Sequence, residues 1–325
     1  MADFFDFKSV GGVLAVKASP DGVGVTAWDF GWVDDPAAVA VVAATQEFPD
    51  ASATPAGMAD DAALPSSAYL WKAFFTLFGK NPTTRNQRQV GSCVGFGTTK
   101  AVETTMAVEI AINGEAEEWK DIAQEVTYGG SRVEVGNGRI RGDGSVGAWA
   151  AEFVRRWGVV ARGVYGGLDL STYSEQTCRE YGDRGVPADL EALAKSHPVK
   201  DTTLVKSWAD AKKMLAAGYG LAVCSTQGFS MTRDANGVCR PSGNWGHCMA
   251  IDGYHTDEAG NEYGHIDNSW GPNAHTGPVG WGDPSTSGFW ASAEVIDPMI
   301  RAGDTWAFAA VQGFPARVID WSTVL

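Results

Sequence analysis

The chain has 325 residues, which is long enough for a large buried core and for one or two domains. It carries 39 acidic and 25 basic residues, and its net charge is −14 at pH 7. Nucleic acids and anionic membranes both bind best to a basic surface, so this charge argues against either as a partner. No apolar run reaches the roughly 20 residues that a membrane-spanning helix needs.

The first 64 residues differ from the rest of the sequence. Residues 13–18 and 23–28 are apolar runs on either side of a Ser-Pro-Asp-Gly turn, which predicts a β-hairpin. Residues 37–44 form a short apolar run that fits either a helix or a strand. Residues 46–67 are rich in Ala, Pro, Asp and Ser and predict a linker, either poorly ordered or laid along a surface. We therefore divide the chain into an N-terminal segment, residues 1–64, and a main domain, residues 65–325.

The cysteines and the first residues indicate the compartment. An odd number of cysteines without clustered spacing is present, namely Cys93, Cys178, Cys224, Cys239 and Cys248. We expect reduced thiols, although a bridge between Cys224 and Cys239 stays open. The acidic start of the chain lacks the cationic segment and apolar core of a secretory signal. The expected location is the cytoplasm or the interior of a particle.

In the main domain, predicted helices come first and predicted strands come last. Helices are expected over residues 93–113, 118–132, 148–157, 187–197 and 207–217, and strands over residues 219–225, 244–254, 263–271 and 305–311. This order is typical of an α+β protein with two lobes and a cleft between them.

Cys93 lies at the predicted first turn of the long helix over residues 93–113. The unpaired amides and the positive end of the helix dipole favour a thiolate over a thiol at such a position. Because a thiolate attacks carbonyl carbon, Cys93 is the candidate nucleophile.

A nucleophilic cysteine needs a base and a group that orients the base, and both occur downstream. His247 and Asn268 lie on the two predicted strands that flank a polar turn, so the hairpin would bring them close enough for a side-chain hydrogen bond. The rival bases are His255, His265 and His275. Of these, His265 precedes Asn268 by three residues, which turns the two side chains to opposite faces of one strand.

Four short motifs match one family in the same order. Gln87 stands six residues before Cys93, residues 91–96 read GSCVGF, residues 246–254 begin with GHC and end with GY, and residues 268–271 read NSWG. These motifs resemble those of the papain-like cysteine peptidases, from about residue 65 to the C-terminus. The resemblance implies a papain-like two-lobed fold, with a helical lobe that carries Cys93 and a β-barrel-like lobe that carries His247 and Asn268.

The resemblance also implies a role for each matching residue. Cys93 would attack the peptide carbonyl, and His247 would take up the thiol proton and pass it to the leaving amine. Asn268 would hold the imidazole tautomer, and Trp270 would shield that contact from water and face the substrate. The side chain of Gln87 and the backbone N–H of Cys93 would form the oxyanion hole.

Substrate and cofactor requirements follow from the same resemblance. The glycine-rich residues 136–147 are similar to the wall on which the family pairs an extended substrate; Gly144 matches, and Ser145 replaces a usual glycine. The substrate would be a peptide or protein, cleaved by an endopeptidase that needs no cofactor. A metal site made of His247, Cys248 and Cys239 matches no usual zinc spacing.

Two departures from the family leave alternatives open. Val94 replaces the Trp that relatives carry after the nucleophile, and Val90 stands where secreted relatives carry a bridging cysteine. The chain is therefore also compatible with a weakly active or inactive papain-fold scaffold, including a component of a viral particle. Another alternative is a different Cys-His-Asn acyl-transfer enzyme, such as a cell-wall amidase or a transglutaminase. Residues 1–64 fit a removable pro-segment, a permanent subdomain or an anchor to a larger assembly.

Overall fold

The computed structural model describes residues 14–18, 25–45, 47–113, 119–282, 287–309, 317 and 319–321. Their helices are α1 (Pro36–Ala43), α2 (Trp71–Phe78), α3 (Cys93–Asn113), α4 (Gln124–Gly130), α5 (Gly147–Arg156), α6 (Glu175–Arg184), α7 (Ala188–Ala194), α8 (Trp208–Ala216) and α9 (Ala293–Arg301). Their strands are β1 (Leu14–Ala18), β2 (Val25–Asp29), β3 (Ser67–Tyr69), β4 (Val164–Tyr165), β5 (Leu168–Asp169), β6 (Asp201–Leu204), β7 (Leu221–Phe229), β8 (Pro241–Thr256), β9 (Glu262–Asp267), β10 (Phe289–Ser292) and β11 (Asp304–Ala309). Helices dominate the first part of the main domain and strands the last, which is the predicted α+β arrangement.

A seven-stranded antiparallel sheet forms one lobe. Six of its strands lie in the order β10-β9-β8-β7-β11-β6, and β3 pairs with β8. Strand β8 has 16 residues and pairs with β7 on one side and β9 on the other. The turn at residues 257–261 joins β8 to β9, so the hairpin predicted from the sequence is present.

Helix α3 is the central element of the helical lobe and packs against the sheet. It contacts β7 and β8 as well as α2 and α4. A Cβ at Gly97 would lie 2.8 Å from Cys248 Sγ on β8, and one at Gly95 would lie 3.0 Å from Gln124 O on α4. The two glycines that weaken the helical pattern therefore let neighbouring elements approach α3 closely.

Parts of the N-terminal segment are tied into the main domain. Strands β1 and β2 pair in antiparallel fashion as predicted, and the turn predicted between them lies outside the described residues. The run whose type the sequence left undecided is helical, as α1, and packs against α5. The expected linker contains two short 3-10 turns, Ala51–Ala53 and Asp61–Ala63, and Ala51 and Ala56 are buried in the core of the sheet lobe. The sequence predicted a linker that is either poorly ordered or laid along a surface, and residues 47–67 agree with the second alternative.

Two predicted helix boundaries are wrong, and one of them is the end of the helix expected over residues 187–197, which stops at Ala194. Of the helix expected over residues 118–132, residue 118 lies outside the described residues, and the helix begins only at Gln124, because Ile122 forms an isolated bridge with Ala161. Its axis then continues through a π-helical turn at Ser131–Val135. The helices α6 and α9 and the strand β10 were not predicted.

All five cysteines lie within the described residues, and none of them forms a disulfide. Cys224 faces Cys248 across β7 and β8, whereas Cys239 lies beside His275. The bridge between Cys224 and Cys239 that the sequence left open is therefore not formed. In the part of the chain that the structure describes, no helix combines the length and the apolarity needed to cross a membrane.

Candidate active site

The first turn of α3 carries Cys93 inside the protein. Cys93 has no exposed surface, and its thiol lies beside the backbone of Gly31 and Cys248. Phe30, which precedes Gly31, packs its ring edge-on against His247, with 6.0 Å between the ring centroids. Two consecutive residues of one segment therefore contact the candidate nucleophile and the candidate base, so both belong to the same site.

The hairpin of β8 and β9 positions His247 and Asn268. His247 lies on β8, and Asn268 immediately follows β9. His247 Nε2 is 2.9 Å from Asn268 Oδ1, and both side chains are buried. The two residues that the sequence analysis paired are in hydrogen-bond contact.

The backbone N–H of Ser269 determines which way the Asn268 carboxamide points. That N–H can only donate, and it lies 2.7 Å from Oδ1, so the atom facing it must be the oxygen. Oδ1 accordingly accepts from both Ser269 and His247, which puts the proton of the neutral imidazole on Nε2. His247 Nδ1 is buried and makes no hydrogen bond to any described residue, Cys93 included. His247 thus keeps an unprotonated nitrogen, the form that a general base needs.

A second cysteine and histidine lie on the other side of Asn268. Cys239 Sγ is 3.5 Å from His275 Nδ1, and His275 Nε2 is 3.2 Å from Asn268 Nδ2, so the three residues form a triad-like row. Because Asn268 Nδ2 donates, His275 Nε2 must accept, and the neutral ring then carries its proton on Nδ1, facing the sulfur. A protonated nitrogen cannot take up the proton of the Cys239 thiol. The row therefore lacks the base geometry found at His247.

The other two rival histidines are bound to partners of their own. His255 Nδ1 lies 2.8 Å from the hydroxyl of Tyr69. His265 Nδ1 lies 2.5 Å from the carboxylate of Asp252. These contacts give both rings a role in the sheet lobe.

The loop before α3 holds Gln87 by its carboxamide and its backbone. The hydroxyl of Ser269 donates to Gln87 Oε1 at 2.6 Å, and Gln87 Nε2 donates to the carbonyl of Val90 at 3.0 Å. The backbone N–H of Gln87 also donates to the carbonyl of Ser269 at 2.8 Å. Since Ser269 is bonded to Asn268 as well, one residue fixes the position of both carboxamides.

Residues 30–33, which we call the cleft segment, lie extended between the two lobes. The N–H of Ser145 donates to the carbonyl of Gly31 at 2.7 Å, and the carbonyl of Ser145 accepts from the N–H of Val33 at 2.9 Å. On the opposite side, the carbonyl of Gly246 accepts from the N–H of Gly31 at 3.1 Å and from the next N–H at 2.9 Å. The groove in which a substrate was expected is thus filled by the protein's own chain.

Gly144 leaves room in this groove for the backbone of the cleft segment. Its φ of +119° suits glycine, its N–H donates to the Tyr128 hydroxyl at 2.9 Å, and its carbonyl accepts from Arg132. A Cβ at this position would lie 3.1 Å from Gly31 O. Of the two residues predicted for the wall, Ser145 pairs with the occupant, whereas Gly144 leaves room for it.

Aromatic rings cover the His247 imidazole. Trp270 stacks on it with 4.6 Å between centroids and 28° between planes. Phe30 and Trp245 meet Trp270 edge-on at 5.7 and 4.8 Å. This cover keeps water away from the contact between His247 and Asn268.

The closed site holds Cys93 and His247 in their neutral forms. Burial lowers the pKa of His247 to about 4, although the hydrogen bond to Asn268 acts in the opposite direction. Burial, together with the neighbouring Cys248, raises the pKa of the Cys93 thiol well above its ordinary value. This raised pKa opposes the thiolate expected at the helix N-terminus. Desolvation is the largest influence on this thiol, and it outweighs the backbone hydrogen bonds of Cys248, Gly31 and Val94, which lower the pKa.

Solved structures of cysteine proteases share this architecture. The crystal structure of xylellain, a cysteine protease from Xylella fastidiosa, matches with a TM-score of 0.57 over 87% of this chain and 96% of that chain, at 18% identity. This chain has the papain-like fold.

The structure of this chain, with its papain-like fold, is also similar to the structures of two pro-forms. Procathepsin B S9 from Trypanosoma congolense matches with a TM-score of 0.54 over 86% of this chain and 85% of that chain, at 12% identity. Digestive procathepsin L 3 from the larval midgut of Tenebrio molitor matches with a TM-score of 0.51 over 83% of this chain and 77% of that chain, at 17% identity. No protein-family model and no curated protein sequence matches the chain. At these identities the likeness establishes the fold alone.

The sequence motifs gave no role to three residues of the papain-like site. Ser269 lies inside the NSWG motif, but only the structure reveals that it binds both Gln87 and Asn268. His275 was considered as a rival base and is found as a partner of Asn268. Trp32 lies in the N-terminal segment, more than 50 residues before Cys93, and no sequence pattern connected it to the cleft.

Proposed function

We propose that this chain is a thiol endopeptidase that cleaves peptide bonds through an acyl-enzyme on Cys93. The observation that supports this most strongly is the buried Nδ1 of His247, which makes no hydrogen bond to the described residues. Its tautomer is set by Asn268 and Ser269, and it lies in the site that contains Cys93. A base held in one tautomer beside a helix N-terminal cysteine is the arrangement that thiol acyl transfer needs.

In the proposed reaction, His247 Nδ1 takes the proton of the Cys93 thiol as substrate enters. The sulfur attacks the scissile carbonyl, and the negative charge on its oxygen is stabilised by the backbone N–H of Cys93 and the carboxamide of Gln87. His247 then gives its proton to the leaving amine as the C–N bond breaks. A water that gives a proton to His247 hydrolyses the thioester and restores the thiol. No step requires a cofactor.

The way the cleft segment binds supports a peptide as the substrate. Its backbone pairs with Ser145 and Gly246 by the hydrogen bonds that an added β-strand makes, and such bonds do not depend on side-chain identity. We infer that an extended substrate uses the same backbone groups once the cleft segment has left. Cleavage preference would then be set by side chains that flank these two positions.

The cleft segment is proposed to keep the enzyme latent. It contacts Cys93 through Gly31 and His247 through Phe30, so it would keep substrate and water from both side chains while it stays in place. Among the three interpretations of residues 1–64, contacts of this segment with the catalytic groups favour a pro-segment or a permanent regulatory subdomain. Mass spectrometry of the protein from its native source would separate these two, because only a pro-segment is removed. The anchor to a larger assembly stays a prediction, and the comparisons give no support to a viral particle.

A peptide-library digest tests the peptidase assignment. Once the cleft segment has left the groove, we expect cleavage of internal peptide bonds that is abolished by Cys93→Ala and by His247→Ala. Cys178→Ala is the matched control, because it removes another fully buried thiol, one with no proposed catalytic role, and should retain activity. Hydrolysis of non-peptide amides alone would favour the amidase alternative. If a protein whose cleft segment has been removed from the groove cleaves no peptide, the result would favour the inactive scaffold.

A further inference from the structure

We propose that His275 is a positioning residue, which holds the Asn268 carboxamide in the one orientation that leaves His247 able to act as a base. The kinetic part of this inference rests on the proposed peptidase function. The proton arrangement does not, because it can be measured in the resting protein.

The inference starts from the fixed direction of each hydrogen bond in the row. Ser269 N–H donates to Asn268 Oδ1 at 2.7 Å, which leaves Nδ2 as the atom that faces His275 Nε2 at 3.2 Å. His275 Nε2 therefore accepts, and its Nδ1–H is directed at Cys239 Sγ, 3.5 Å away. The two histidines on either side of Asn268 must carry their protons on different nitrogens, His247 on Nε2 and His275 on Nδ1.

The orientation matters because a carboxamide has one accepting and one donating end. If Asn268 turned over, its NH₂ group would face the N–H of Ser269 and the Nε2 of His247. The imidazole of His247 would then have to accept at Nε2 and carry its proton on Nδ1, where it could no longer take a proton from Cys93. An acceptor at His275 opposes this change, since it satisfies the buried Nδ2 in the productive orientation only.

The surroundings of His275 are built to hold the ring in place. His275 is only 2% exposed, and its ring lies 4.4 Å from that of Phe289, centroid to centroid. Its two flanking contacts, Cys239 and Asn268, lie at opposite nitrogens. A ring fixed by packing presents its nitrogen to Asn268 at little further entropic cost.

The unmodified protein provides the first test. Nitrogen-15 NMR of the histidine rings at neutral pH should find His247 protonated on Nε2 and His275 protonated on Nδ1. Detection of a proton on His275 Nε2 in the neutral ring would overturn the proposal without any variant. This measurement needs no substrate, so its result is independent of whether the chain is a peptidase.

A pair of variants provides the second test. His275→Phe keeps the packing on Phe289 but removes the acceptor, and we expect the Nε2 proton signal of His247 to be lost or broadened. The kcat/KM should fall roughly tenfold to a hundredfold with KM little changed, since the NH₂ group of Asn268 is left buried without an acceptor. His275→Gln restores an acceptor. It should recover most of the Nε2 proton signal of His247 and most of the kcat/KM. His255→Phe, which removes a histidine bound to Tyr69, is the matched control and should behave like the unmodified protein.

The outcomes separate this inference from the proposed function. If His275→Phe leaves the His247 signal and kcat/KM unchanged, or if His275→Gln is as impaired as His275→Phe, the positioning role is wrong. If no peptidase activity exists but the His247 signal responds to His275→Phe and not to His275→Gln, the positioning role stands and the peptidase assignment fails.

Discussion

The indole N–H of Trp32 donates a hydrogen bond of 2.8 Å to the buried carboxylate of Asp304, 272 residues further along the chain. The same carboxylate accepts from the indole of Trp306 at 2.7 Å and from the N–H of Gly147 at 2.8 Å. The cleft segment is therefore anchored inside the main domain, next to the groove it fills. Its release requires a buried contact to break.

Removing this anchor should open the cleft. Trp32→Ala loses the hydrogen bond to Asp304 and the burial of the indole, a change that costs about 3–5 kcal/mol for a large aromatic side chain. We expect Cys93 to react with a small alkylating agent at least tenfold faster than in the unmodified protein, as measured by peptide mapping. The control is Val33→Ala, which trims an exposed side chain of the same segment. Equal rates in Trp32→Ala and Val33→Ala would contradict a latching role for Trp32.

The lowered pKa of His247 predicts how stability depends on pH. In the unfolded chain, this ring takes up a proton as the pH falls below about 6.5, whereas the buried ring does so only near its folded pKa of about 4. The unfolded state therefore binds more protons in this window, and the free energy of unfolding should fall as the pH falls from 6.5 to 4. The full contribution of this ring is about 3 kcal/mol. Denaturant titrations across this range measure it, and His247→Phe should have a correspondingly flatter profile; the same slope in both proteins would contradict the neutral, buried assignment.

Gln87 should contribute to transition-state stabilisation. We expect Gln87→Ala to lower kcat by about 10²- to 10³-fold, the usual effect of removing one donor from an oxyanion hole. Gln87→Glu replaces the NH₂ group by an oxygen and should be at least as damaging, since the hydroxyl of Ser269 still holds the other oxygen. Steady-state kinetics on a cleaved peptide measure both. An effect confined to KM would show that Gln87 binds substrate and not the oxyanion.

A buried ion pair ties the nucleophile's helix to the strand that leads to Asn268. Lys100, two turns after Cys93, lies 2.7 Å from the carboxylate of Asp267, and Asp252 is 3.9 Å from the same ammonium group. Burial by itself would raise the pKa of Asp267, but Lys100, together with His265 and Ser287, lowers that pKa below its ordinary value.

We therefore expect Lys100→Met to destabilise the fold by about 3–5 kcal/mol, because it leaves buried carboxylates without their cation. Adding Asp267→Asn to Lys100→Met should recover part of this loss, since the amide removes one of the uncompensated charges. Thermal or denaturant unfolding of the single and double variants measures the effect. Additive losses in the double variant would indicate that the two residues do not act as a pair.

The elements with a strong local pattern could be predicted from the sequence. The 21-residue helix α3 begins at Cys93 as expected, and the β8–β9 hairpin is read directly from two apolar strands around a polar turn. Short elements such as β10, and α9 with Pro298 inside it, depend on packing against the sheet and have no such signal. The sequence therefore predicts the long central elements of the papain-like fold but not the short elements that pack around them.

The candidate site was predictable where its residues fall in compact motifs. Gln87, Cys93, His247 and Asn268 lie within such motifs, and their meeting follows from one helix and one hairpin. The roles of Trp32 and His275 depend on contacts between distant segments, so no local pattern could reveal them. The environment of Cys93 could not be predicted locally: a helix N-terminus favours a thiolate, whereas burial by segments distant in sequence raises the pKa of the thiol.

Labelling of Cys93 in an opened cleft tests the central claim most directly. A Cβ at Gly31 would lie 1.8 Å from the carbonyl oxygen of Gly91, so Gly31→Val should displace the cleft segment without altering any proposed catalytic group. Treated with an electrophilic epoxide and mapped by mass spectrometry, Gly31→Val should carry the label on Cys93, and adding His247→Ala should slow this labelling at neutral pH by at least tenfold. An opened protein whose Cys93 stays unlabelled, or is labelled equally fast without His247, would contradict the account.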